Sequence, residues 1–131
     1  MSYESKVFII ERIETESGWV GGAEIARFEL CCMGYELVNG RGFRDIFKTP
    51  IDFDLDLNVN EESEYYKPEL YREDAYGTPC KSASIPFVLD WLEHSRVLHE
   101  YRRAALFYDF LKVLQSRANE YGEILLVHYG H

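Results

Sequence analysis

Between residues 51 and 59 apolar and polar side chains alternate without a break: Ile51, Phe53, Leu55, Leu57 and Val59 against Asp52, Asp54, Asp56 and Asn58. A period of two is the pleat of a β-strand, and an apolar set on one side obliges the fold to cover that side while the other meets water. The pattern therefore predicts a half-buried strand with its aspartates facing out. It also predicts a fold in which a sheet has a second layer to pack against.

The rest of the chain supplies both layers. Residues 5–14, SKVFIIERIE, are β-branched and aromatic enough for a strand, with Val7, Ile9 and Glu11 on one face and Phe8 and Ile10 on the other. After Ser17 and Gly18, a turn signal, Ala26, Phe28, Leu30 and Cys32 alternate with Arg27, Glu29 and Cys31. This predicts a second strand paired to the first as a hairpin across residues 16–22. Asn39-Gly40 marks another turn, and Phe43, Ile46 and Phe47 have the spacing of one or two helical turns before Pro50 stops them.

Ser84 in the N-cap position, Pro86 in the first turn and the stripe Ile85, Val88, Leu89 and Leu92 predict a helix that ends near Ser95. A longer helix is expected over residues 97–119. One arc of it carries Tyr101, Ala104, Phe107, Tyr108, Leu111, Leu114 and Ala118, and Leu106, Phe110 and Val113 widen the arc on a neighbouring side. Gly122 ends this helix, and EILLVHYGH reads as a last strand. The expected fold is α+β: a small antiparallel sheet of about four or five strands, two helices on one face and a short extra helix. At 131 residues, 47% of them hydrophobic, the chain fits a single globular domain over 1–131 with an acidic strand-plus-loop segment at 51–84.

That segment holds most of the charge. Asp52, Asp54, Asp56, Glu61, Glu62, Glu64, Glu69, Glu73 and Asp74 stand against only Lys67 and Arg72, so residues 51–74 carry −7 of the chain's −9. The excess is local, and it argues against direct binding to nucleic acid or to anionic lipid, both of which need surplus Lys and Arg. Residues 60–84, with Gly77, Pro68 and Pro79 among many polar residues, predict an exposed loop with a short strand near 70–72.

No metal or catalytic signature goes with the acids. Counted from Asp52, the sixth and twelfth positions of a calcium loop hold Leu57 and Ser63 where Gly and Glu are required. Carboxylates on one face of a strand stand about 6.6 Å apart, too wide to chelate an ion without a turn. No apolar pocket surrounds any of them to raise a pKa for acid catalysis. His94 and His99 are not on one helix face, and His128 alternates with Ile124 and Leu126 as though closing a core face. Cys31, Cys32 and Cys80 form no CxxC and no even set, which fits a reducing cytoplasm and buried small hydrophobes. No cofactor is expected.

Two readings of function lead, both non-enzymatic, ahead of a hydrolase, for which the sequence supplies acids but no assembled acid-base-nucleophile set. A row of carboxylates at strand spacing resembles the phosphates of a nucleic-acid strand in charge and rough repeat. It would dock on the Arg and Lys tracks of a positively charged, nucleic-acid-binding protein and inhibit it by occupying the groove. Acidic decoys of this kind serve phages and mobile elements as anti-defence proteins, among them inhibitors of CRISPR effectors. The alternative is a small nucleotide or anion binder that uses the basic-aromatic cluster Arg96, Tyr101, Arg102 and Arg103. The Leu106, Phe110 and Val113 side of the long helix predicts self-association as a homodimer, unless that side is enclosed within the fold.

Overall fold

The computed structural model describes residues 5–14, 16, 20–35, 37–51, 55–56, 70–71 and 79–130. Five strands form one antiparallel sheet: β1 (Ser5–Glu14), β2 (Val20–Glu29), β3 (Thr49–Pro50), β6 (Lys81–Ala83) and β7 (Glu123–Gly130), in the order β2-β1-β7-β6-β3. Between β3 and β6 in sequence, β4 (Leu55–Asp56) pairs antiparallel with β5 (Leu70–Tyr71) as a separate two-stranded ladder. Helices α1 (Ile85–Glu93), α2 (Val97–Glu100) and α3 (Arg102–Ser116), with a 3-10 turn at Phe43–Ile46, pack against one face. The fold is the expected α+β arrangement.

β1 and β7 lie inside the sheet, and their sequences show why. Val7, Ile9 and Leu126 face the helices, while Phe8, Ile10 and Val127 face the other way into a second, smaller cluster with Ile51 and Cys80. A strand with apolar residues at consecutive positions can be buried on both faces, which suits an interior strand and not an edge. β2 is the edge beside β1, and it carries a bulge. Ile9 faces Ala26 but Ile10 faces Glu24, so Ile25 is an extra residue on the β2 side. The bulge resets the alternation. Ile25 and Ala26, neighbours in sequence, both pack on the helix-side core, and Glu24 and Arg27 pair side chain to side chain at 2.9 Å although three residues apart. The Arg27 guanidinium also lies 4.7 Å from the centre of the Phe8 ring, its strand partner, and covers that ring's outer side.

Two expectations are corrected. Cys31 and Cys32 do not extend β2: they open a 3-10 turn over Cys31–Tyr35 that folds Leu30 and Met33 into the core. The helix expected over 97–119 is two helices that end at Ser116, because Tyr101 is extended (φ −127, ψ 125) between α2 and α3 and the chain turns into a 3-10 segment at Ala118–Glu120. Val97 and Ala104 are both buried and stand seven residues apart. That spacing falls on one helical stripe whether or not a bend intervenes, so the periodicity carries no trace of the break.

Other local signals are realised. Asn39 (φ 52) and Gly40 (φ 77) form the two left-handed residues of a tight turn closed by Val38 and Arg41, which is the backbone that an Asn-Gly pair favours. The indole of Trp91 donates to the Arg41 carbonyl at 3.0 Å and ties α1 to this turn. Ser84 stands at the N-cap of α1 with Pro86 in the first turn, but its hydroxyl makes no capping bond. Phe107 is fully buried at the centre of the helix layer, edge-on to Phe28 at 5.2 Å and to Phe43 at 6.3 Å. Among the described residues no helix is long and apolar enough to cross a membrane.

Candidate functional site

The acidic stretch is held at both ends by one piece of sheet. Thr49 and Pro50 of β3 pair with Ser82 and Lys81 of β6, and the Ile51 amide donates to the Cys80 carbonyl at 3.4 Å. Ile51 and Cys80 are both buried in the cluster on the sheet face away from the helices. Ile51 and Cys80, which flank residues 52–79 in sequence, therefore stand side by side on the sheet. Of the predicted partner-binding residues, Asp56 has a described backbone, paired with Leu70 in the β4–β5 ladder. Asp52, Asp54, Glu61, Glu62, Glu64, Glu69, Glu73 and Asp74 lie outside the described residues, as does most of the strand expected over 51–59.

The basic-aromatic cluster is only partly assembled. Tyr101, Arg102 and Arg103 line a hollow of about 240 Å³ with Glu29, Cys31 and Cys32, while Arg96, in the turn between α1 and α2, does not line it. Arg103 donates to the Glu29 carbonyl at 3.3 Å, which commits part of its guanidinium to the end of β2. Burial pushes the Cys32 thiol above its ordinary pKa, and the opposing charge of Arg103 is the lesser influence. Cys32 is therefore a neutral thiol at physiological pH and a poor nucleophile. Cys31 is exposed, and no cysteine forms a disulfide.

On α3 the predicted apolar extension divides. Phe110 is half-buried against Phe28 at 5.6 Å between ring centres, whereas Leu106 and Val113 are 58% and 54% exposed. The helix is not enclosed within the fold, so this side is open to water or to a partner.

Residue spacing gave no sign of two further features. Ser5 and His128, 123 residues apart, meet across the β1–β7 ladder with Ser5 Oγ 2.7 Å from His128 Nε2. Both are buried, Ser5 completely. A serine beside an imidazole resembles the nucleophile and base of acyl transfer, but a hydroxyl with no surface exposed cannot meet a substrate, so the bond satisfies two buried polar groups. His128 also packs 5.2 Å from the ring of Phe47 and 6.0 Å from that of Phe43, closing the end of the helix-side core as its alternation with Leu126 implied. Beyond it lies the second feature, a cavity of about 340 Å³ lined by Arg44, Lys48, Lys81 and His128, with Asp45, Phe47, Pro79, Cys80 and Gly130. Among the described residues no group of three or more His, Cys, Asp or Glu side chains is placed to hold a metal ion.

No known protein family matches this chain, and neither a curated protein nor a solved structure is significantly similar to it.

Proposed function

We propose that the protein is a non-enzymatic interaction protein whose acidic segment engages a positively charged, nucleic-acid-binding partner and occupies its basic groove. The observation that carries this reading is the concentration of −7 charges in a stretch whose two ends are clamped side by side by the β3–β6 pairing. A segment tethered in this way is presented by the fold from a single point, and its like charges repel one another unless an opposite surface meets them. A surface of that kind gives fast, salt-sensitive association with a basic groove. The alternative, a nucleotide held by Tyr101, Arg102 and Arg103, has a hollow of suitable position in its favour and an acidic residue, Glu29, in the same lining against it. Self-association through Leu106, Phe110 and Val113 belongs to either reading.

The test is capture of partners from host lysate by the tagged chain at about 50 mM and at about 500 mM salt, a range that cuts the Debye length severalfold. A nucleic-acid-binding protein retained at low salt and lost at high salt is expected. Asp52→Lys, Asp54→Lys and Asp56→Lys together should abolish that capture, and Arg102→Glu should leave it intact. Capture that survives the triple reversal would sink the acidic reading. A nucleotide copurifying with the wild type and lost in Arg102→Glu would install the alternative.

A further inference from the structure

Cys31 and Cys32 are neighbours in sequence, and in a strand their side chains would point to opposite faces of the sheet. The 3-10 turn over Cys31–Tyr35 changes this. At three residues per turn, consecutive side chains diverge by only about 120°. Both cysteines accordingly line the same hollow of about 240 Å³, beside Glu29 and Tyr101. Burial raises the Cys32 pKa most, and the charge of Cys31 adds to it, so the two sulfurs lie within reach of each other's field. Packing accounts for Cys32, which is half-buried against the helix-side core, but not for Cys31, which is exposed. Nor does the pair close on itself. Consecutive Cα atoms stand about 3.8 Å apart across a trans peptide, whereas a disulfide of relaxed geometry needs about 4.4 Å or more.

We infer that Cys31 and Cys32 form a dithiol clamp for trivalent arsenic, taken up as arsenite or as a monosubstituted organic arsenical. A bridging atom keeps the sulfurs further apart than the S–S bond of about 2.0 Å, which removes the obstacle to closure. In the reaction each thiol replaces one hydroxyl of the arsenic centre: two As–O bonds break, two As–S bonds form, and each thiol proton leaves on its hydroxyl as water. Arsenic stays trivalent, so no oxidant or reductant takes part. Neutral thiols serve in this exchange, which suits Cys32, held protonated by its burial. A divalent metal would instead require thiolates and further protein ligands, and the described residues assemble no group of three. The third position on arsenic keeps a hydroxyl or an organic substituent. Tyr101, 45% exposed on the rim, offers an aryl substituent a flat apolar face. Cys80 takes no part, because it is buried in the cluster on the other side of the sheet.

The deciding experiment titrates the full, reduced chain under native conditions with phenylarsine oxide and separately with sodium arsenite, and reads intact mass and free thiols. One arsenical per chain is expected, with the Cys31 and Cys32 thiols lost and Cys80 still a free thiol. Tighter capture of the phenyl compound would identify an organic arsenical, and equal or tighter capture of arsenite would identify the inorganic ion. The adduct should survive excess glutathione, a monothiol, and be released by dimercaptopropanol, a dithiol. Cys31→Ser should weaken capture by about a hundredfold or more, because the second sulfur then no longer binds as part of one chelate. That variant changes an exposed side chain and keeps the fold. No adduct on the folded chain, release by glutathione, or undiminished capture by Cys31→Ser would each overturn the assignment and leave the pair as unconnected thiols.

Discussion

His94 shows how one side chain reports on the end of a helix. It is the C-cap of α1, its Nδ1 lies 2.8 Å from the Asp90 carbonyl, and the Asp90 carboxylate stands 3.6 Å away. Its pKa is raised above the ordinary 6.5, first by the hydrogen bond to the Asp90 carbonyl and then by the charge of Asp90. The charged ring is favoured in the folded state, so its contribution to stability is complete below the unfolded value near 6.5. It fades as the pH rises through the folded value. A resonance titration of His94 should give a midpoint above 6.5, and Asp90→Asn should lower it only in part because the carbonyl bond remains. A midpoint at or below 6.5 would contradict the geometry. The ring is exposed, so the effect on overall stability is small and screened by salt.

At the scale of elements, α3 carries its energy on one side only. Phe107 and Leu111 are fully buried, and Phe107 bridges the sheet through Phe28 and the short turn through Phe43. Phe107→Ala should cost about 3 to 5 kcal/mol in denaturant unfolding. Leu106→Ala, one residue away and 58% exposed, should cost less than about 0.5 kcal/mol. Comparable losses at the two positions would mean that the register of α3 is wrong.

What could be read from residues follows the range of the interactions involved. The alternation of β1, the terminal strand β7, the stripe of α1 and the Asn39-Gly40 turn are local patterns, and each stands where its period or its turn chemistry placed it. The Ile25 bulge and the bend at Tyr101 depend on packing partners far away in sequence, and neither position has a Gly or Pro to mark it. For the same reason the Ser5–His128 bond and the cavity ringed by Arg44, Lys48 and Lys81 were invisible: their members come from both ends and the middle of the chain. The acidic stretch was plain from composition. Its geometry beyond the β4–β5 ladder lies outside the described residues.

For the molecule as a whole, charge and apolar exposure come from different stretches of the chain. Nine of the 23 acids fall between β3 and β6 in sequence, whereas the exposed Leu106 and Val113 belong to the face of α3 turned from the core. A chain that pairs through α3 would present two acidic segments at once, and a symmetric dimer is the expected assembly. Light scattering at micromolar concentration should give twice the 15.4 kDa chain mass, and Leu106→Glu with Val113→Glu should return it to the monomer. A monomeric mass for the wild type would dispose of the dimer without touching the acidic surface.

The clamp between β3 and β6 has a consequence for how such a chain can change. Because the strands on either side of the acidic stretch are already paired, the ends of the insert are fixed by the sheet and not by the insert. Doubling the length of a flexible loop with fixed ends costs only about 0.6 kcal/mol in closure entropy. The β3–β6 pairing acts as a socket for the stretch between Ile51 and Cys80, and a change of length or charge within that stretch is expected to leave the unfolding midpoint of the sheet and helices where it was.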